Sequence, residues 1–282
     1  MSHYTHDTAP TQFVEAAGIK FAYRRFGVSS GVPLVFFQHF MGNLDEHDSA
    51  LTDAFAEDRE VILFNNAGVA SSGGTTPDTI AQTSRDALSF IDALGLRKVD
   101  LLAHSMGGFV AQEVALTRPE LVRKLVLVGT APKGGEGVGA MPPETEALFF
   151  KEYENQEEMW LPILFSPSKE SQAAGRAHLA RIMSRKDRDA PVAMETIQAQ
   201  AAAIGAYGAA KDPTYAELGE LRQPTLVVNG NNDTIVPTVN SFTLQQHIPN
   251  ATLILYPDSS HSAHFQYPEL FVKHTKLFLD EN

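Results

Sequence analysis

The chain has 282 residues, no cysteine and a formal net charge of −12. The lack of cysteine excludes disulfides, thiolate metal sites and cysteine nucleophiles. The excess of acidic residues argues against nucleic acid as a partner. The polar N-terminus does not resemble a signal peptide, and no apolar run reaches the roughly 20 residues that a transmembrane helix needs. We therefore expect a cytoplasmic protein that acts on a small-molecule substrate, with no membrane partner, metal or other cofactor.

Strand-sized segments recur along the chain. Two short strands, residues 12–15 and 20–25, are predicted to form an antiparallel pair. Six apolar runs, typical of strands covered on both faces, follow at residues 34–38, 61–64, 99–102, 124–128, 225–228 and 252–256. Helical patterns separate several of them, as in residues 79–94, where Gly95 follows as a C-cap signal. Strands that alternate with helices predict an α/β fold with a mostly parallel sheet flanked by helices.

Residues 99–110 read Val-Asp-Leu-Leu-Ala-His-Ser-Met-Gly-Gly-Phe-Val. An apolar strand leads directly to Ser105, which has small residues nearby and a helical pattern behind it. A serine on a sharp strand-to-helix turn presents its Oγ above the sheet, and only small neighbours fit around the strained backbone. The helix N-terminus supplies free N–H groups that stabilise an oxyanion. This pattern predicts that Ser105 is a catalytic nucleophile.

The same segment resembles the nucleophile elbow of the α/β-hydrolase fold family, with Ala103 in place of the first glycine of Gly-x-Ser-x-Gly. The rhythm of strands and helices breaks between about residues 131 and 220. We therefore expect an α/β-hydrolase fold with a core of residues 1–130 and 221–282 and a helical cap, or lid, of residues 131–220 inserted between late core strands. Our candidates for the substrate pocket are Phe40, Trp160, Phe165 and His264.

In this family an acid and a histidine follow the serine, in that order, on loops after late strands. Asp233 is the only carboxylate in a strand-glycine-aspartate-proline segment that resembles the family's acid loop. His261 lies soon after the next strand, at the position of the family's histidine. His264, three residues further on, is its competitor. The resemblance implies a triad of Ser105, His261 as base and Asp233 as the orienting acid.

The resemblance also implies an oxyanion hole made of two backbone N–H groups. One belongs to Met106, directly after the nucleophile. The other comes from the loop after the 34–38 strand, where Met41 holds the donor position and Phe40 replaces the usual glycine. Phe40 stays open as the alternative donor.

These residues together imply a serine hydrolase that cleaves a small carboxylic ester or lactone through an acyl-enzyme on Ser105. A serine nucleophile argues against the relatives that form an ester on an aspartate. Four other functions use nearly the same parts and stay open. They are perhydrolysis as in cofactor-free haloperoxidases, hydrolysis of carbon–carbon bonds, a hydroxynitrile-lyase type of reaction, and ligand reception without turnover.

Overall fold

Eight strands form one sheet in the order β1-β2-β4-β3-β5-β6-β7-β8, in a computed structural model that describes residues 4–29, 31–140, 143–212 and 214–281. The strands are β1 Gln12–Ala16, β2 Ile19–Gly27, β3 Leu34–Phe37, β4 Glu60–Phe64, β5 Val99–His104, β6 Val122–Val128, β7 Thr225–Gly230 and β8 Ala251–Tyr256. β2 runs antiparallel to β1 and β4, and all other neighbours are parallel. The predicted antiparallel pair and mostly parallel sheet are confirmed. Residues 1–3 of the polar N-terminus lie outside the described residues.

Helices follow most of the strands. Those before β6 are α1 Ser49–Ala56, α2 Ile80–Ala93 and α3 Met106–Thr117. Those between β6 and β7 are α4 Pro143–Phe150, α5 Gln156–Leu164, α6 Lys169–Ile182 and α7 Met194–Gly208, followed by a 3₁₀ helix at Ala216–Glu220. The last are α8 Val239–His247, α9 Ala263–Gln266 and α10 Pro268–Asp280. Within the described ranges, none of these helices has the length and apolarity to cross a membrane.

The sheet separates two hydrophobic cores. In β3, Val35 and Phe37 face the core shared with α2 and α3, whereas Leu34 and Phe36 face the core shared with α1 and α10. Successive side chains of a strand point to opposite faces, so a strand with helices on both sides must be apolar throughout. This explains why the central strands are continuous apolar runs. Polar residues are accommodated where these strands end.

Helix α2 matches its predicted bounds closely. Thr79 is its N-cap, and its side chain accepts a hydrogen bond of 3.3 Å from the Gln82 N–H. Gly95 follows the helix with φ +71°, a left-handed conformation that costs glycine little. Local capping chemistry therefore sets both ends of this helix.

Candidate active site

Ser105 lies between β5 and α3 in a backbone conformation that side chains rarely adopt, with φ 55° and ψ −122°. Such a residue costs about 1–3 kcal/mol and persists only where its surroundings hold it. The turn leaves no room beside it: a Cβ on Gly107 would lie 2.4 Å from the Phe37 carbonyl oxygen, and one on Gly108 would lie 2.4 Å from Thr130 Oγ1. The small residues that marked this segment in the sequence are thus required by its packing.

Strand β6 holds the turn in place. The Ser105 N–H donates to the Val128 carbonyl at 2.9 Å, and the Thr130 hydroxyl donates to the Ser105 carbonyl at 2.8 Å. The Ser105 side chain makes no capping hydrogen bond to α3. Its hydroxyl is therefore not used to stabilise the helix.

His261 and Asp233 form a buried pair on the loops after β8 and β7. Nδ1 of His261 lies 2.8 Å from Oδ2 of Asp233. The other carboxylate oxygen, Oδ1, accepts from the N–H groups of Ile235 at 2.9 Å and Val236 at 3.0 Å. A carboxylate held this way favours the imidazole tautomer with its proton on Nδ1, which leaves Nε2 as an acceptor.

Three other histidines surround His261 in the interior. His104 places its ring 4.9 Å from that of His261 and 4.4 Å from that of His264. Burial lowers the pKa of His39 to about 4 and lowers the pKa values of His104 and His264 well below the usual value. All three are therefore neutral at pH 7. They differ from His261 in having no carboxylate partner among the described residues.

Two cavities reach Ser105. The first, called here the inner cavity, has a volume of about 30 Å³ and is lined by His39, Phe40, Ser105, Trp160, Ile163, Leu164, Ile235 and His261. The second, called here the apolar cavity, has a volume of about 180 Å³ and is lined by Phe40, Ser105, Phe109, Val138, Gly139, Ala201, Ile204, Ile235 and Val236. Gly139 and Ala201 are exposed, so the lining of the apolar cavity extends to the surface. Ser105 therefore lies between the two histidines of the inner cavity and the largely apolar lining of the apolar cavity.

The predicted oxyanion donors differ in their present partners. Met106 is the first residue of α3, so its N–H has no acceptor within the helix. The Met41 N–H donates at 3.0 Å to Oε1 of Gln200, a residue of α7. The Phe40 N–H has no hydrogen-bond partner in the described part of the chain, and Phe40 borders both cavities that reach Ser105. The Met41 N–H is thus engaged in this structure, whereas those of Met106 and Phe40 are free.

The predicted pocket residues are placed differently from one another. Phe40 and Trp160 border the inner cavity. Phe165 and His264 are not among the residues that line either cavity. Phe165 is 2% exposed and packs near the His178 ring at 5.9 Å, while His264 is 1% exposed and packs on His104. Both side chains turn into the interior because they complete a buried aromatic cluster behind the site.

Several cavity-lining residues were missed by the sequence analysis. Ile235 borders both cavities and lies two residues after Asp233. An apolar residue so close in the chain to Asp233 was a local signal that could have predicted a place in the cavity lining. Val138 and Ile204 come from the segment between β6 and β7. Nothing in the local pattern distinguishes them from ordinary packing residues.

A polar cluster joins the loop after β3 to the segment around α6. Asp48 accepts from Arg181 through two hydrogen bonds of 2.7 Å and from His178 at 2.7 Å. Burial raises the pKa of the Asp48 carboxyl, but the hydrogen bonds from His178 and Arg181 outweigh it and hold that pKa well below its usual range. Nearby, Nδ2 of Asn43 donates to the Ala190 carbonyl at 3.0 Å. The loop that carries Phe40 and Met41 is therefore fixed from outside the sheet as well as by it.

Comparisons with known proteins identify the fold family. A family model described as alpha/beta hydrolase fold matches residues 32–268. An alpha/beta hydrolase fold protein from Chitinophaga pinensis is similar in structure, with 41% identity, a TM-score of 0.93, and coverage of 99% of this chain and 100% of that one.

Of two sequence relatives, one is named a hydrolase and the other an esterase. One, a 2-hydroxy-6-oxononadienedioate/2-hydroxy-6-oxononatrienedioate hydrolase from Pseudomonas putida, is 30% identical over 78% of this chain and 76% of its own length. The other, a pimeloyl-(acyl-carrier protein) methyl ester esterase from Nitrosomonas europaea, is 33% identical over 60% of this chain and 66% of its own length. The chain therefore belongs to the α/β-hydrolase fold family and is a hydrolase.

Proposed function

We propose that this hydrolase cleaves small carboxylic esters or lactones through an acyl-enzyme on Ser105. The observation that carries the proposal is the pairing of His261 with Asp233 at 2.8 Å, together with the inner cavity that His261 shares with Ser105. A base oriented by a carboxylate and placed beside a serine on a strained turn is the arrangement that activates a hydroxyl for acyl transfer.

The reaction runs in two halves. His261 accepts the Ser105 proton at Nε2 while Oγ attacks the substrate carbonyl carbon, and it then gives that proton to the leaving alcohol. Water repeats the sequence on the acyl-enzyme, which releases the acid and restores Ser105. Asp233 keeps the imidazole in the required tautomer and stabilises its charged form.

We assign the oxyanion hole to the N–H groups of Met106 and Phe40. Both are free of internal partners in the described part of the chain, and Phe40 borders the same cavities as Ser105. The sequence favoured Met41, but its N–H already has an acceptor in Gln200. A backbone N–H without an internal partner can donate fully to the oxyanion, so it stabilises the transition state most.

We further propose that residues 131–220 act as the cap over this site. What supports this role is that α5 supplies Trp160 to the inner cavity, while Val138 and Ile204 line the apolar cavity. In this proposal the apolar cavity takes the acyl chain and the inner cavity holds the reacting carbonyl. The volume of about 180 Å³ limits the chain to a short one.

A fluorophosphonate probe tests the nucleophile directly. We expect intact-mass spectrometry to show one probe adduct on the wild type and none on Ser105→Ala, and p-nitrophenyl esters of short acids to be hydrolysed by the wild type alone. Labelling at another residue, or equal turnover by Ser105→Ala, contradicts the proposal. Ligand-dependent stabilisation with neither labelling nor turnover would instead favour a receptor.

A further inference from the structure

Gln200 links the segment between β6 and β7 to the loop after β3. Its side-chain carbonyl accepts the Met41 N–H at 3.0 Å, across 159 residues of sequence. Gln200 is 3% exposed and Met41 is half-buried, so this hydrogen bond is partly buried. A buried polar side chain that binds a backbone N–H on a distant loop constrains that loop, because breaking the bond would strand both groups.

The residue that Gln200 holds is in an unusual conformation. Met41 has φ 64°, in the left-handed region that non-glycine residues seldom occupy. On the core side, Gln38 holds the same loop: its Oε1 accepts from the His39 N–H at 2.8 Å and its Nε2 donates to the Asn43 carbonyl at 2.9 Å. On the other side, the Met41 N–H depends on Gln200. The turn is therefore clamped between two glutamine side chains.

Helix α7, which carries Gln200, is itself fixed to the core. One turn earlier, Thr196 donates through Oγ1 to the Gly68 carbonyl at 2.8 Å. One turn later, Ile204 lines the apolar cavity beside Ser105. Gln200 therefore lies on α7 between the helical turn that is anchored by Thr196 and the helical turn that lines the apolar cavity.

We propose that Gln200 is a positioning residue for the oxyanion hole. By taking the Met41 N–H, it holds the left-handed turn that leaves the Phe40 N–H unpaired at the Ser105 cavities, so that helix α7 sets the donor geometry. This inference rests on the proposed acyl transfer. The interaction between donor and oxyanion is strongest in the transition state, so loss of Gln200 acts on kcat more than on KM.

The first test compares Gln200→Leu with Gln198→Leu, a matched change at an exposed glutamine on the same helix. We expect Gln200→Leu to lower kcat about 10-fold or more, with KM within about 3-fold, because a misplaced oxyanion donor costs that much or more. Gln198→Leu should match the wild type. Equal kcat in Gln200→Leu and Gln198→Leu, in enzymes that label at Ser105, overturns the inference and leaves the proposed function standing.

A conservative variant separates positioning from packing. The carboxyl introduced by Gln200→Glu still accepts the Met41 N–H, but it adds negative charge near the oxyanion once it ionises. We expect the ratio of its kcat to that of the wild type to fall as pH rises, whereas the ratio for Gln200→Leu stays low at every pH. A pH-independent ratio for both variants indicates packing alone and overturns the inference.

The Met41 amide gives a readout that does not depend on turnover. The protein has seven methionines, so labelling with ¹⁵N-methionine gives a simple amide spectrum. The Met41 amide should exchange with solvent at least about 10-fold faster in Gln200→Leu than in Gln198→Leu. Unchanged exchange contradicts the clamp. A wild type that neither labels nor turns over removes the proposed function, and the inference falls with it.

Discussion

His261 and Asp233 are joined by a hydrogen bond of 2.8 Å between Nδ1 and Oδ2, and the second carboxylate oxygen is held by two backbone N–H groups. The backbone donors fix which oxygen is left for the imidazole. The main chain after β7 thus orients the Asp233 carboxylate, and that carboxylate in turn orients the His261 imidazole.

Replacing Asp233 by asparagine should reverse the imidazole tautomer. The backbone donors of Ile235 and Val236 would keep the amide oxygen, so the amide NH₂ would face Nδ1 of His261 and donate to it. The imidazole proton then moves to Nε2, where it blocks acceptance of the Ser105 proton. We expect Asp233→Asn to lower kcat by about 10³–10⁴-fold, as such a change does in other triads.

Steady-state kinetics on a short p-nitrophenyl ester measure this loss. The matched control is Asp78→Asn, at an exposed carboxylate just before the N-cap of α2. It should retain wild-type kcat within about 2-fold, since surface changes away from the site are usually mild. Similar kcat for both variants would show that Asp233 does not orient the base.

The competition between His261 and His264 can be decided by separate substitutions. We expect His261→Ala to lower kcat by about 10⁴-fold or more, because triad members act as a unit. His264→Ala removes a buried ring that packs on His104, so it should lower the free energy of unfolding by about 2–4 kcal/mol and keep most of the turnover. Activity should be assayed well below both melting temperatures. Loss of turnover in His264→Ala with activity kept in His261→Ala would reverse the assignment.

The apolar cavity predicts a preference for short acyl chains. Its volume of about 180 Å³ equals roughly six water-sized volumes, room for about four to six carbons. Ile204→Ala enlarges it, so kcat/KM for the octanoate ester relative to the butyrate ester should rise about 10-fold, the gain from burying about two more methylenes. Ile197→Ala, two turns away on α7 and outside this cavity, should leave that ratio near wild type. An equal ratio in the two variants would place the acyl chain elsewhere.

Local patterns predicted the elements of this fold well, because each central strand is buried on both faces and helix α2 has a capping residue at each end, Thr79 and Gly95. The turn at Ser105 was also readable, because Gly107 and Gly108 stand close to the serine in the chain, although the atoms that leave no room beside them belong to Phe37 and Thr130. Asp233 and His261 were proposed as acid and base from their order along the chain. Their contact with each other is seen only once β7 and β8 are paired.

Long-range contacts could not be read in this way. Gln198 and Gln200 have the same side chain and nearly the same neighbours in sequence, yet one is exposed and the other binds Met41 across 159 residues. The donor assignment changed for the same reason, because the partner of the Met41 N–H comes from another part of the fold. Phe165 and His264 were proposed for the pocket from the sequence, and the structure shows both side chains buried.

His6 predicts that the protein loses stability in mild acid. Burial, with a smaller contribution from Arg24, lowers the pKa of His6 from its usual 6.5 to about 4. The unfolded chain therefore binds this proton more readily than the folded one, so the contribution of His6 is complete above pH 6.5 and is lost as pH falls towards 4. Its share of the free energy of unfolding is about 3 kcal/mol.

Urea unfolding at several pH values should show His6→Gln losing less stability over this interval than the wild type or His247→Gln, a control at an exposed histidine. The same loss in all three proteins would mean that His6 is not the group that titrates.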